Sequence, residues 1–223
     1  MKSKLISLIS VIPLGGLLGS ILCIWGFFEI AEEVLEQETT AMDTEVLLMF
    51  KDLHTPLLDR LVTAITFLGD PRLLSVVCFL LGIALVRRGM KAEATTIAIA
   101  AIGSVLLNTV LKKVFSRARP ELWERILDVS SYSFPSGHAL VSLVIYGIFG
   151  YLLSTQFPRW RVWVAIGTLG LIIPIGLSRL YLGVHWPTDI VAGYTAGMVW
   201  LMACIISLEI WRQSRGFFQG YQE

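Results

Sequence analysis

Long uncharged runs separated by short charged segments dominate the chain. They cover residues 5–28, 73–86, 94–111, 139–158, 162–178 and 190–208. A helix needs about 20 residues to cross a bilayer, within a range of roughly 17 to 25. Five runs qualify, and the 14 residues of 73–86 fall short. That run is kept as a span because Arg87 and Arg88 can lay their stems along it and Pro71 suits a first helical turn. One helix over 61–86 is disfavoured, since Pro71 would then sit inside it at a cost of about 3 kcal/mol. The pattern predicts an all-α, polytopic six-helix transmembrane bundle, with 1–223 as a single membrane domain. The first run is expected to be retained rather than cleaved. Its 24 residues exceed the apolar region of a signal peptide, about 7 to 15, and no A-x-A site follows.

Between the first two runs lies an acidic segment, 29–60, with Glu32, Glu33, Glu36, Glu38, Asp43, Glu45 and Asp52. Its apolar residues Ile30, Val34 and Leu35, then Val46, Leu47 and Phe50, recur at helical spacing. Short interfacial helices are expected there, acting as a solvated connector without chemistry.

Composition sharpens the class. Of 223 residues, 55% are apolar and 16% charged, against about 25% charged in soluble domains. The formal net charge of +1 hides an asymmetry. Lys2, Lys4, Arg87, Arg88, Lys91, Arg159, Arg161, Arg212 and Arg215 fall on one side of the proposed membrane, against only Glu93, Glu209 and Glu223. That side is expected to be cytoplasmic and to hold both termini. Trp25, Phe27 and Phe28, and Trp160, Trp163 and Trp211, suit interfacial belts. Gly193 and Gly197 form a G-x-x-x-G, expected to mark close helix packing. Cys23, Cys78 and Cys204 all lie in apolar runs, which argues against disulfides and a cysteine-ligated metal. Nothing points to nucleic acid, and no internal repeat, P-loop or dinucleotide fingerprint is present.

On the acidic side a basic cluster breaks the charge rule, and two further clusters share that face. Lys112, Lys113, Arg117 and Arg119 close the third run, and cations at a helix end are often only caps. Ser133 to His138 directly precede the fourth run, where a serine cap and a glycine would present N–H groups to an anion. Ser178 and Arg179 end the fifth run, and His185 and Asp189 straddle the start of the sixth. A carboxylate four residues after a histidine lies one turn on. It can accept the Nδ1 proton and leave Nε2 free to attack. His138, His185 and Asp189 are also possible metal ligands, although Lys112, Arg119 and Arg179 would attract an anion instead. Two histidines, three cations and an N-terminal nest suit phosphoryl transfer.

Lys112 with Arg119–Pro120 matches K-x6-RP, Pro135–His138 matches PSGH, and Ser178–Arg179, His185 and Asp189 match SR-x5-H-x3-D. In these eleven positions, spread over 112–189, the chain resembles the type 2 phosphatidic acid phosphatase superfamily, membrane branch. The resemblance implies His185 as a nucleophile forming a phosphohistidine, Asp189 as its orienting partner and His138 as the acid for the leaving group. It implies that Lys112, Arg119, Ser136, Gly137 and Arg179 hold the phosphate, with no metal and no cofactor. The expected substrate is a phospholipid or polyprenyl phosphate at the extracytoplasmic face: phosphatidate, phosphatidylglycerol phosphate or undecaprenyl pyrophosphate. A lipid phosphotransferase and a non-catalytic lipid binder or transporter stay open as alternatives. Lys113, Arg117 and Arg125 exceed the motif, and one of them turned inward would add a second phosphate subsite.

Overall fold

The computed structural model describes residues 2–123 and 129–219, with side chains for 15–123 and 129–214. Eight α-helices are described: α1 Lys2–Leu35, α2 Thr40–Lys51, α3 Pro56–Leu68, α4 Pro71–Arg87, α5 Lys91–Phe115, α6 Gly137–Gln156, α7 Arg161–Tyr181 and α8 Pro187–Gln219. A short 3-10 turn, Pro158–Trp160, leads into α7. No strand occurs among the described residues. The sequence therefore fits its expected all-α class.

Helix boundaries differ from the uncharged runs where a buried stripe outlasts them. The acidic segment does not open with a separate surface helix at Glu29, because α1 continues to Leu35. Phe27, Ala31 and Val34 recur on one face and are all buried, so the packing stripe carries the helix past its charges. Phe27 meets Phe115 and Phe134 with ring centroids 6.0 and 5.9 Å apart. Two short helices begin in this segment, α2 and then α3. Thr55 caps α3 by accepting from the Leu58 N–H, with Pro56 opening the helix.

The second run is helical over 17 residues, α4. Asp70 caps it, accepting from the N–H groups of Arg72 at 2.8 Å and Leu73 at 3.2 Å, and Pro71 sits in the first turn. α3 and α4 are thus two helices, bent by 45° at Gly69–Asp70. Among the described residues, four helices are long and apolar enough to span a membrane: α5, α6, α7 with its leading turn, and α8. The bent α3–α4 pair makes a fifth.

α6 lies at the centre, packed by α4, α5, α7 and α8, while α1 and α5 also pack on α8. Between helices in lipid there is little hydrophobic drive, so close backbone approach carries the association. Gly193 and Gly197 supply it. A Cβ at Gly193 would stand 2.8 Å from the Ser136 carbonyl, and one at Gly197 would stand 3.0 Å from that of Leu140. Leu22, Phe79, Ile102 and Trp163 remain exposed on the outside of the bundle, where lipid would cover them. The C-terminal ends of α5 and α7 and the N-terminal ends of α6 and α8 meet at one end of the bundle. A backbone bond from Ser136 N to the Asp189 carbonyl, 2.9 Å, ties the α6 and α8 starts together.

Candidate active site

His185 lies in the link between α7 and α8, and Asp189 in the first turn of α8. Gly183, at φ +65°, turns the chain sharply after α7, a conformation that favours glycine. His185 is 2% exposed and Asp189 is fully buried. Nδ1 of His185 stands 3.1 Å from Oδ2 of Asp189, while Nε2 stands 3.3 Å from Nη1 of Arg119. A guanidinium can only donate, so Nε2 accepts and the ring proton resides on Nδ1. The free lone pair is therefore on Nε2. The same Asp189 oxygen accepts from the Trp186 N–H at 2.8 Å and from the Ser133 hydroxyl.

Ser136 is fully buried and caps α6, its hydroxyl accepting from the Ala139 N–H at 3.5 Å. The N–H groups of Gly137 and His138 open the helix and have no intrahelical acceptor. Asn108 of α5 holds this loop, donating to the Pro135 carbonyl at 3.1 Å. It lies so close to Gly137 that a Cβ there would stand 2.8 Å from its Oδ1. The His138 ring rests against Gly69 at the α3–α4 bend, 3.3 Å from where a Cβ would be. Arg179, Arg119, Lys112 and His185 are near enough to His138 to act on it electrostatically.

The three cations are held from different elements. Lys112 donates to the Tyr132 carbonyl and, at 3.3 Å, to that of Ser133. Arg119 donates from Nε to the Ser131 carbonyl at 2.7 Å, from Nη2 to the Tyr132 carbonyl at 3.1 Å and from Nη1 to the Val184 carbonyl. Arg179 is 3% exposed and donates to the Thr66 hydroxyl at 2.7 Å. Its Nε finds no acceptor among the described residues. Burial holds His185 well below its ordinary pKa of 6.5, and Arg119, Lys112 and Arg179 push it the same way.

Arg117 does turn inward, but not toward an open phosphate subsite. Its Nη1 donates to Asp189 Oδ1 at 2.8 Å and its Nη2 to Asp43 Oδ2 at 2.7 Å. The expectation that it could hold a second phosphate is corrected by this engagement with two carboxylates. Lys113 is exposed and borders, with Asn108, Thr109, Lys112 and Tyr132, a cavity of about 560 Å³. Arg125 lies outside the described residues. A larger cavity of about 850 Å³ lies between α4 and α5, among Phe79, Ile83, Val105 and Leu106.

The family model of the PAP2 superfamily matches residues 93–212, which include every residue of the three motifs. The chain belongs to the PAP2 superfamily. It is 29% identical to phosphatidylglycerophosphatase B of Bacillus subtilis (strain 168), over 66% of this chain and 73% of that one. It is 34% identical to an undecaprenyl-diphosphatase of Sulfolobus acidocaldarius over 51% of this chain, and spans 54% of that relative's length. The crystal structure of a transmembrane PAP2 type phosphatidylglycerolphosphate phosphatase from Bacillus subtilis superposes with a TM-score of 0.77. That match has 25% identity and covers 83% of this chain and 94% of the other. The PAP2 chain described here is a multi-pass membrane phosphatase.

All eight predicted site residues assemble at one end of this PAP2 bundle. The candidate clusters did not include Asn108 and Thr66, which hold the Pro135 carbonyl and Arg179, and gave Ser133 no role, although its hydroxyl donates to Asp189. It also took Asp43 for a solvated acid, yet Asp43 is fully buried. A signal was present. Asp43 lies one turn before Leu47, on the stripe that α2 buries.

Proposed function

We propose that the protein removes a terminal phosphate from a membrane lipid phosphate, through a phosphohistidine on His185 and without a metal. The observation that carries this reading is the polarised His185 ring, with Asp189 on Nδ1 and a lone pair on Nε2 facing Arg119. Nε2 attacks phosphorus as the bond from phosphorus to the lipid oxygen breaks. That oxygen leaves with the bonding electrons and takes a proton from His138. Lys112, Arg119, Arg179, the Ser136 hydroxyl and the Gly137 N–H hold the phosphoryl oxygens while charge builds on them. Asp189 steadies the imidazolium that forms. A water then attacks phosphorus, gives its proton to His138 and releases His185.

The reading places six spans in the bilayer, with α1 as the first, the α3–α4 pair providing the second and α5 to α8 the rest. Both termini are cytoplasmic and the motif end is extracytoplasmic, at headgroup depth, following the excess of basic residues at the opposite end. Phosphatidate, phosphatidylglycerol phosphate and undecaprenyl pyrophosphate are the candidate substrates. The names of the two relatives above support the last two.

The test is phosphate release from a panel of these lipids by the purified protein in detergent with EDTA, beside His185→Ala. Wild-type release that persists in EDTA, is blocked by vanadate and is lost in His185→Ala is the expected result. Release that His185→Ala retains, or that EDTA abolishes and magnesium or zinc restores, would overturn the mechanism.

A further inference from the structure

Asp43 sits on α2, outside the region that the PAP2 family model covers. It is nevertheless fully buried against the reaction centre. Its Oδ2 accepts from Arg117 Nη2 at 2.7 Å and from the Thr188 hydroxyl at 2.6 Å, while its Oδ1 accepts from the Thr188 N–H at 3.1 Å. The other arm of Arg117 donates to Asp189 Oδ1 and to the Thr188 hydroxyl, each at 2.8 Å. One guanidinium thus bridges two buried carboxylates, with Thr188 as a shared brace.

We propose that Asp43 is a positioning residue for phosphoryl transfer: through Arg117 it fixes the Asp189 carboxylate, and with it the His185 ring, in the attacking orientation. The inference rests on the assignment of His185 and Asp189 as nucleophile and orienter. Three donors converge on Asp189 Oδ2, and Arg117 is the side chain that grips Oδ1. The terminal torsion of an aspartate is soft, so the grip on Oδ1 sets the carboxylate plane. A rigid guanidinium fork transmits orientation only if its far side is also held, and Asp43 holds it.

Docking α2 is a poor explanation for a charge buried this deeply. Leu47 already anchors α2 in an apolar cluster with Leu180 and Ile190, and buried ion pairs often add little net stability. α2 also caps α8 from outside. Pro187 has no N–H, and Asp43 takes the N–H of the next residue at the positive end of the helix that carries Asp189.

Asp43→Asn keeps the shape and removes the charge. Charge-assisted hydrogen bonds are worth enough that kcat should fall about ten- to a hundredfold. KM and vanadate inhibition should stay within about twofold, because the phosphate cradle does not touch Asp43. In an Asp189→Asn background the same substitution should cost less than about twofold, since its effect runs through Asp189. A kcat near wild type, an equal loss in both backgrounds, or a matching loss of vanadate binding would each overturn the proposal. If Asp43→Asn does not fold, Thr188→Val makes the same comparison by deleting the shared hydroxyl, and an unchanged kcat there would also overturn it. An active His185→Ala would instead remove the mechanism itself. An inactive His185→Ala beside a fully active Asp43→Asn would remove only this inference.

Discussion

Arg119 presents an N–H to Nε2 of His185 from 3.3 Å, so the cation that is to hold the phosphate already touches the nitrogen that is to attack it. The carbonyls of Ser131, Tyr132 and Val184 pin the rest of the guanidinium. An incoming phosphoryl oxygen would take the Nη1 contact and leave the lone pair free, with no large movement of the arginine.

Arg119→Lys should therefore fail to restore function. A lysine retains charge but cannot donate to three carbonyls and a phosphoryl oxygen with one fixed plane. Removing one preorganised donor of this kind costs about 10² to 10³ in kcat. The check is steady-state phosphate release from lipid substrate. A lysine variant within threefold of wild type would show that charge alone suffices.

The pH dependence follows from His185. Burial first, then Arg119, Lys112 and Arg179, hold its pKa well below 6.5. A protonated ring cannot attack, so the acid limb of kcat/KM should fall below pH 6.5 and not at it. Lys112→Gln removes one opposing cation and should move that limb upward. The same shift links to stability. The unfolded histidine takes up its proton near 6.5, so this contribution is complete above that pH and declines as pH drops toward the folded value. Rate profiles of the two proteins between pH 4 and 8 decide the first point, and thermal melts over that range the second.

His138→Ala should be sensitive to the leaving group. General acid catalysis contributes most when the departing oxygen is a poor leaving group, about 10² to 10⁴ in typical cases. The alkoxide from phosphatidate needs the proton. The monophosphate released from a lipid pyrophosphate needs it much less. The loss in kcat should be larger for phosphatidate, and equal losses on the two substrates would argue against His138 as the acid.

How much of this was legible in the chain depends on where the information lay. The motif residues could be found because each cluster borders an uncharged run, so helix ends and chemistry share the same positions. The extent of α1 could not be read from charge, because Phe27, Ala31 and Val34 continue a buried face through acidic residues. α3 was hidden by Asp59 and Arg60 in its first turns. Asp43 was hidden because nine acids share the segment 29–60 and only tertiary contact with Arg117 and Thr188 distinguishes it. Arg117 was recognisable as a surplus cation. Its two carboxylate partners, 74 and 72 positions away along the chain, were not.

That pairing decides what should happen with substrates of different headgroup. Both terminal nitrogens of Arg117 are engaged, Nη1 by Asp189 and Nη2 by Asp43, so a second phosphate would have to displace one of the two carboxylates. Arg117→Ala should lower kcat/KM equally for a polyprenyl pyrophosphate and for phosphatidate, because both need His185 oriented. Lys113 differs from it. It is exposed, neighbours Lys112 and borders the cavity beside the site, with no carboxylate among the described residues to hold it there. A charge-assisted contact to phosphate is worth about 1.5 to 3 kcal/mol, discounted here because water screens an exposed ammonium. Lys113→Ala should therefore lower kcat/KM about threefold or more for the pyrophosphate lipid while leaving phosphatidate nearly unchanged. Kinetics of the two variants on both lipids test the pair of claims together. A selective effect at Arg117 would mean that substrate pulls it from Asp189, whereas no effect at Lys113 on either lipid would confine the site to a single phosphate.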